Sequence, residues 1–432
     1  MKYYSLNRKA PAVDFKYATL AGQAPDGGLY FPDFIPQVSD ELINNIEAFS
    51  NEAIALEVIR PFTEDAIPEK FLEKIVGETL NFNIPLVNIS ADIYSLELFH
   101  GPTLAFKDTG ARFMSRCLNY FAGNRKEKIT VLVATSGDTG GAVANGFYEV
   151  DGVNVVILYP SGKVSNVQEK QLTTLGKNIH ALEVNGSFDD CQQMVKQAFV
   201  DEELKKKLFL TSANSINVAR WLPQQFYYFF LWKQWKDKNQ PPVVSVPSGN
   251  FGNICAGILA QRSGLPIQQF IAACNVNDTV PDFFKTGIYR PKKAIATISN
   301  AMDVGDPSNF IRILEIFNSD SKALQKIMST YSVSDEGTKE TILNVLTSNN
   351  YLLDPHGAVA YSALEKYLGA HPGEKGVFLE TAHPVKFDNV IGPFINRNIP
   401  VPESILELME KEKMSFKIEA RSEELKEFLL RI

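Results

Sequence analysis

The stretch His100-Gly-Pro-Thr-Leu-Ala-Phe-Lys107-Asp108 sets one lysine after an apolar, turn-bearing approach and ahead of a helix-like segment, Thr109 to Phe121. A lysine drawn partly out of water holds its proton less tightly, and the neutral amine can then form an imine with a carbonyl compound. Spacing alone equally allows a solvated lysine at a helix start. Downstream, Ser248-Gly-Asn-Phe-Gly-Asn253 places Gly249 and Gly252 on either side of Asn250 and Phe251. Glycines permit positive φ and close backbone approach, so successive N–H groups can wrap a phosphate that rests on a helix N-terminus. The pattern is neither GxGxxG nor a Walker A loop. A plain tight turn also fits it.

Thr135-Ser-Gly-Asp-Thr-Gly140 offers hydroxyls and amides at another helix start, suited to a carboxylate or phosphate and equally to N-capping. Ser161-Gly-Lys163, Ser165 with Gln168, and Asn214-Ser-Ile-Asn217 with Arg220 add cationic and polar groups at loop or helix-start positions. Each alone is as readily a capping or solvated group. His356 and His383 have acid–base capacity, but lone histidines are more often structural, and neither is given a catalytic role. Trp221 to Trp235 is apolar on every face and reads as a buried core helix.

These loops need elements to carry them. Ile129–Val133, Val153–Leu158 and Val243–Val246 are short β-branched runs, each followed by a Gly-rich polar turn and then a helix pattern: Ala142–Gly146, Ser165–Thr174 and Ile254–Ala260. Continuous apolar runs of this length suit strands buried on both faces, hence parallel strands with crossover helices and an α/β class. In such sheets ligands sit at the carboxyl ends of the strands, where these loops fall. Pro61 to Phe82 reads as one capped helix, Asn239–Pro242 as a connector, and the residues from Glu403 onward as surface helices without chemistry.

Composition narrows the function classes. A chain of 432 residues with 43 Lys+Arg against 50 Asp+Glu, net charge −7, and 45% hydrophobic content is a globular chain of two or three domains. No basic run exceeds Lys205–Lys207, so neither a nucleic-acid nor a membrane partner is expected. The four cysteines form no CxxC pair and the five histidines no HExxH spacing, so no metal site is expected. No apolar stretch is long enough to span a bilayer and no signal-peptide pattern opens the chain, which predicts a cytoplasmic protein with reduced thiols.

Taken together and in order, the motifs resemble those of the pyridoxal-phosphate enzymes of the tryptophan-synthase-β type (fold type II), and within them the threonine synthases. The lysine motif is followed by Thr135-Ser-Gly-Asp-Thr-Gly, Tyr159-Pro-Ser-Gly-Lys-Val-Ser, Asn214-Ser-Ile-Asn-Val-Ala-Arg, Pro247-Ser-Gly-Asn-Phe-Gly-Asn and Thr381-Ala-His-Pro-Val-Lys-Phe; Gly27-Gly-Leu-Tyr-Phe-Pro32 is similar to the family's opening signature. The resemblance implies two open, mostly parallel sheet domains with flanking helices plus an N-terminal α/β subdomain. Residues 1–95 would be that subdomain and 96–432 the catalytic region, with a smaller substrate-closing domain at about 110–215 and a larger cofactor domain in the remainder.

The activity implied is conversion of O-phospho-L-homoserine and water to L-threonine and phosphate with pyridoxal 5′-phosphate as cofactor. Lys107 would carry the cofactor and move the protons at Cα and Cβ. Gly249, Asn250, Phe251, Gly252 and Asn253 would cradle its phosphate, Thr381 would face its ring nitrogen, and Asp138 would lie beside its 3-hydroxyl, where many relatives have Asn. Thr135, Ser136 and Thr139 would meet the substrate's carboxylate side; Ser161, Lys163, Ser165, Asn214, Asn217 and Arg220 are the candidates for its phosphate. A related dehydratase acting on serine or threonine, or a non-catalytic binder of phosphate esters, are the alternatives. A monomer or weak dimer is expected, and activation by S-adenosylmethionine is not, since the segment that binds it in plant relatives is not seen ahead of the opening signature.

Overall fold

The computed structural model describes residues 1–123 and 127–432. An antiparallel pair, β1 (Tyr3–Ser5) and β2 (Tyr30–Pro32), opens the chain. A second antiparallel pair, β3 (Leu86–Asn88) and β4 (Ile93–Glu97), follows. The chain then builds β5 (Ile129–Ala134), β6 (Val153–Pro160), β7 (Ile179–Asn185) and β8 (Phe209–Ser212). It continues through β9 (Val243–Pro247), β10 (Gln269–Cys274), β11 (Met328–Ser332) and β12 (Gly376–Glu380), and its last strand is β13 (Phe416–Glu419).

Two larger sheets result. One has six strands in the order β11-β10-β9-β12-β4-β3, parallel except at the β3 edge, and the other five in the order β13-β7-β6-β5-β8, all parallel. Every residue of β5, β6, β9 and β12 is buried, as the unbroken apolar runs require once helices cover both faces. From β9 the chain passes to β10 and β11 on one side and later returns to β12 on the other. The end of β9 is therefore a topological switch point, the usual place for a ligand in an open parallel sheet.

The helix Phe226–Gln234 is buried from Phe226 to Trp232, as its all-round apolar pattern predicts. Other expectations need correction. Pro61 does not begin a helix; it lies in the last turn of Asn51–Thr63, and a separate helix, Glu69–Thr79, follows. Ser50 caps the first of these by accepting from the Ala53 N–H, a start signal upstream of the expected one. The residues after Glu403 do include two helices, but between them β13 pairs in parallel with β7. Strand β4 runs inside the six-stranded sheet, so a boundary at residue 95 would cut it.

Candidate active site

Lys107 opens the helix Lys107–Ala122, which follows β4. The approach to it is stitched to the segment after β12: Ala105 bridges Ala382, the Phe106 N–H donates to the Thr381 carbonyl, and the His383 N–H donates to the Leu104 carbonyl. Since β9, β12 and β4 are adjacent, Lys107, Thr381 and the Gly249 loop leave the sheet at neighbouring strand ends. The Lys107 side chain is 17% exposed, and its ammonium lies 3.4 Å from Asp138. Burial lowers its proton affinity; Asp138 acts against this, while Lys386 and Arg220 add to it, and the net shift is downward.

The Gly249 loop joins β9 to the helix Gly252–Arg262. Among the described residues, no protein acceptor takes the backbone N–H of Gly249, Asn250, Phe251, Gly252 or Asn253. Phe251 sits at φ 59°, the left-handed region, where a bulky side chain is strained. Gly249 is required by space: a Cβ there would come within 2.8 Å of the Ala301 carbonyl oxygen and of Met302 Cα. The side chains brace the loop. Asn250 donates to Ser215 Oγ at 2.7 Å and accepts the Ser308 N–H, while Asn253 donates to the Pro247 carbonyl at 2.9 Å. A run of free N–H groups on a rigid turn at a helix start fits a phosphate, and a desolvated lysine nearby fits an aldehyde; together the residues suit pyridoxal phosphate.

Asp138 begins the helix Asp138–Phe147 after β5. Its carboxylate sits between two lysines, 3.4 Å from Lys107 and 2.9 Å from Lys386, and accepts from Gln168 Nε2 at 3.0 Å. Burial by itself would raise the Asp138 carboxyl, but Lys386 and then Lys107 outweigh it and hold it well below the usual carboxylate range. Thr135 turns back on its own loop, accepting the Gly137 and Gly140 N–H groups at 2.9 Å each. That is the capping reading, and it leaves the N–H groups of Ser136, Asp138 and Thr139 without a protein acceptor.

The expected substrate-phosphate residues divide. Ser161 donates to Glu183 at 2.6 Å, and Ser165 caps the helix Asn166–Thr173 in a capping box with Gln168. Asn217 is wholly buried, donates to the Thr19 carbonyl at 2.9 Å and accepts the Ala219 N–H. Ser161 and Asn217 spend their donors on protein groups, while the Ser165 and Thr135 hydroxyls accept backbone N–H groups and so hold their loops in place. Lys163 is exposed and forms no ion pair among the described residues. Arg220 is buried and, among the described residues, has no carboxylate partner and donates only to the Ala213 carbonyl; burial lowers its guanidinium to about 10. Its Nε and the Asn214 Oδ1 are buried and unpartnered.

Four contributors were not singled out from the sequence. Lys386, in the turn after β12, is 0% exposed and donates to the Thr103 carbonyl at 2.7 Å. Asp108 accepts from the Thr103 N–H and hydroxyl, and burial pushes its carboxyl up. Ser215 and Asn309 buttress Asn250. Asp108, Ser215 and Lys386 each lie within a motif quoted above, Lys386 as a lysine inside an otherwise apolar Pro-Val-Lys-Phe turn; Asn309 carried no readable signal.

Comparison with known proteins places this arrangement. The family described as pyridoxal-phosphate dependent enzyme matches residues 81–381, the threonine synthase N terminus matches 2–80, and the threonine synthase C-terminal region matches 357–429. The chain is 45% identical to threonine synthase of Haemophilus influenzae over 94% of each chain, and 44% identical to that of Escherichia coli over 97% of each. It superposes on pyridoxal-phosphate-bound threonine synthase of Brucella melitensis with a TM-score of 0.94 at 36% identity, covering 100% of this chain and 99% of that one. With a full-length match in sequence and in fold, and a lysine and amide cradle where such an enzyme needs them, the chain belongs to the threonine synthase family of pyridoxal-phosphate dependent enzymes.

Proposed function

We propose that the ends of β4, β9 and β12 form the site where O-phospho-L-homoserine and water become L-threonine and phosphate, with Lys107 as cofactor-bearing residue and proton carrier. The observation that carries this is the largely buried Lys107, at the start of the helix that follows β4, together with a loop of five unengaged amides after β9, two strands away. When bound, pyridoxal phosphate supplies an electron sink for carbanions at the substrate's Cα and Cβ.

The protein does the rest. The amides of Gly249, Asn250, Phe251, Gly252 and Asn253 would hold the cofactor's phosphate, with the positive end of the helix Gly252–Arg262 behind them. Thr381, 5% exposed and one residue beyond β12, would offer a neutral hydroxyl to the ring nitrogen. The free N–H groups of Ser136, Asp138 and Thr139 and the hydroxyls of Ser136 and Thr139 receive the substrate carboxylate. Arg220, Asn214 and Lys163 receive its phosphate: Arg220 is a buried cation lacking an anion, and a dianionic ester would supply one. Lys107 is the amine that would take and return protons at Cα and Cβ.

The reading carries with it a cytoplasmic enzyme acting as a monomer or weak dimer on a small molecule, without nucleic acid or membrane. The four cysteines are free and buried, which suits a reducing compartment, and no helix among the described residues is long and apolar enough to cross a membrane. Borohydride reduction of the cofactor-loaded protein followed by peptide mapping should label Lys107. Phosphate release should be abolished in Lys107→Ala; a variant that turns over normally would refute the assignment.

A further inference from the structure

Three charged groups meet inside the site with unequal spacing. Asp138 is 5% exposed and stands 2.9 Å from the ammonium of Lys386 but 3.4 Å from that of Lys107. Its Oδ1 takes both Lys386 and Gln168, leaving Oδ2 toward Lys107. Lys386 is 0% exposed, and a second donor contact, to the Thr103 carbonyl at 2.7 Å, fixes it against the residue that also holds Asp108. Among the described residues, no other carboxylate is paired with either lysine. One buried anion thus serves a fully buried cation and a largely buried one, and the nearer is not the lysine expected to react.

An aspartate alone beside Lys107 would oppose the chemistry, because a buried carboxylate at this distance favours the ammonium form, which is neither nucleophile nor base. An asparagine would avoid the difficulty without help. This chain has Asp138 and, opposite it, Lys386. We propose that Lys386 is a positioning residue for Lys107: by pairing with Asp138 it neutralises that carboxylate, so that Asp138 orients the Lys107 nitrogen without holding a proton on it. The pair Asp138–Lys386 then stands as a unit where one neutral amide would otherwise do. The inference rests on the assignment of Lys107 as the cofactor-bearing residue.

The other charges around Lys107 do not supply this effect. Arg220 faces it as a like charge from the helix Val218–Trp221, and Asp108, on its own helix, lies nearer in effect to Arg220 and Lys386. His383, in the same turn as Lys386, is driven down to about 4 by burial and by His100, so it is uncharged above pH 6. Phe106 places its ring 5.0 Å from the Lys107 ammonium.

The test is a pH titration, from 5.5 to 10.5, of the visible absorbance of the cofactor-loaded protein, in wild type, Lys386→Gln, Lys386→Met and Lys386→Arg. Both neutral variants should move the midpoint up by about one pH unit, since Asp138 is then left to Lys107 alone, and Lys386→Arg should restore it. Spectra of Lys386→Gln that stay superimposed on wild type, or a midpoint that falls, overturn the proposal. Should neither neutral variant fold, Asp138→Asn, with Lys386 retained, should lower the midpoint; an unchanged or higher one overturns the proposal equally. Borohydride labelling at a residue other than Lys107 would instead sink the underlying assignment, whatever the midpoints do.

Discussion

Arg312 donates from Nη1 to Asn309 Oδ1 at 2.7 Å, and Asn309 in turn donates from its amide to the carbonyl of Asn250 at 3.1 Å. The guanidinium is wholly buried, lies 4.3 Å above the Trp221 ring, and also reaches the carbonyls of Ser215, Ile216 and Tyr30. A buried cation bonded to carbonyls rather than to a carboxylate ties the N-terminal strand pair, the Asn214 loop and the Gly249 loop to one point. Arg312→Met should therefore cost about 3 kcal/mol of stability or more, because several buried carbonyls lose a charged donor together. It should also weaken cofactor retention. Urea unfolding and dialysis against cofactor-free buffer read the two effects; a loss of stability under about 0.5 kcal/mol, the range of an ordinary surface change, would contradict this account.

Gly249→Ala tests the cradle more locally. The added Cβ meets the backbone of Ala301 and Met302 at 2.8 Å, and that backbone is itself held where the Ala301 N–H donates to His356 Nε2 at 3.1 Å. Neither side can yield cheaply, so the loop must shift, at about 1–3 kcal/mol. The expected result is a fall of tenfold or more in cofactor affinity by fluorescence titration. Unchanged affinity would mean that the phosphate does not rest on this turn.

Much of this was legible because it is local. The apolar runs of β5, β6 and β9 and the glycine-bearing loops after them announce buried strands and helix starts within about fifteen residues. What escaped is long-range or statistical. Lys386 meets a carbonyl 283 positions away, and Asn309 one that is 59 away; no periodicity encodes either. β13 reads as part of a polar tail, Phe416-Lys-Ile-Glu419, and is a strand because β7 offers it an open edge. Pro61 reads as a helix start because proline favours the first turn, but it sits two residues before the end of Asn51–Thr63, where it forgoes one helical hydrogen bond and the helix stops soon after. Ser161 and Asn217 are ambiguous for a different reason: a polar side chain on a loop suits a ligand and a neighbouring protein group equally, and in the fold both bond to protein groups.

That division of polar residues makes its own prediction. Ser161→Ala removes a hydroxyl already bonded to Glu183, and Ser165→Ala removes a helix cap worth about 1 kcal/mol. Both should leave KM for O-phospho-L-homoserine within about threefold of wild type, the reach of a few tenths of a kcal/mol. Arg220→Met deletes a buried cation that lacks an anion and should raise KM by tenfold or more, as loss of a charge-assisted hydrogen bond commonly does. Steady-state phosphate release decides it: a large KM effect in Ser161→Ala with none in Arg220→Met would reverse the assignment.

Glu380, the last residue of β12 and the neighbour of Thr381, is wholly buried; its Oε1 accepts the Asp354 N–H at 2.6 Å and its Oε2 has no hydrogen-bond partner. Burial, and then the Asp354 carboxylate, push its carboxyl well above the usual range, so in the fold it keeps a proton that the unfolded chain releases above about pH 4.3. The sign follows. Between that pH and the raised folded value the native state binds more protons than the unfolded one, so this residue's contribution is complete at low pH and declines as pH rises, by about 1.4 kcal/mol per pH unit at most. Glu380→Gln keeps the shape and abolishes the titration. Its stability relative to wild type should therefore be more favourable at pH 8 than at pH 5, measured by urea unfolding at both. Parallel behaviour at the two pH values would show that the carboxyl is charged in the fold, with a counter-charge that the hydrogen-bond pattern around Asp354 does not contain.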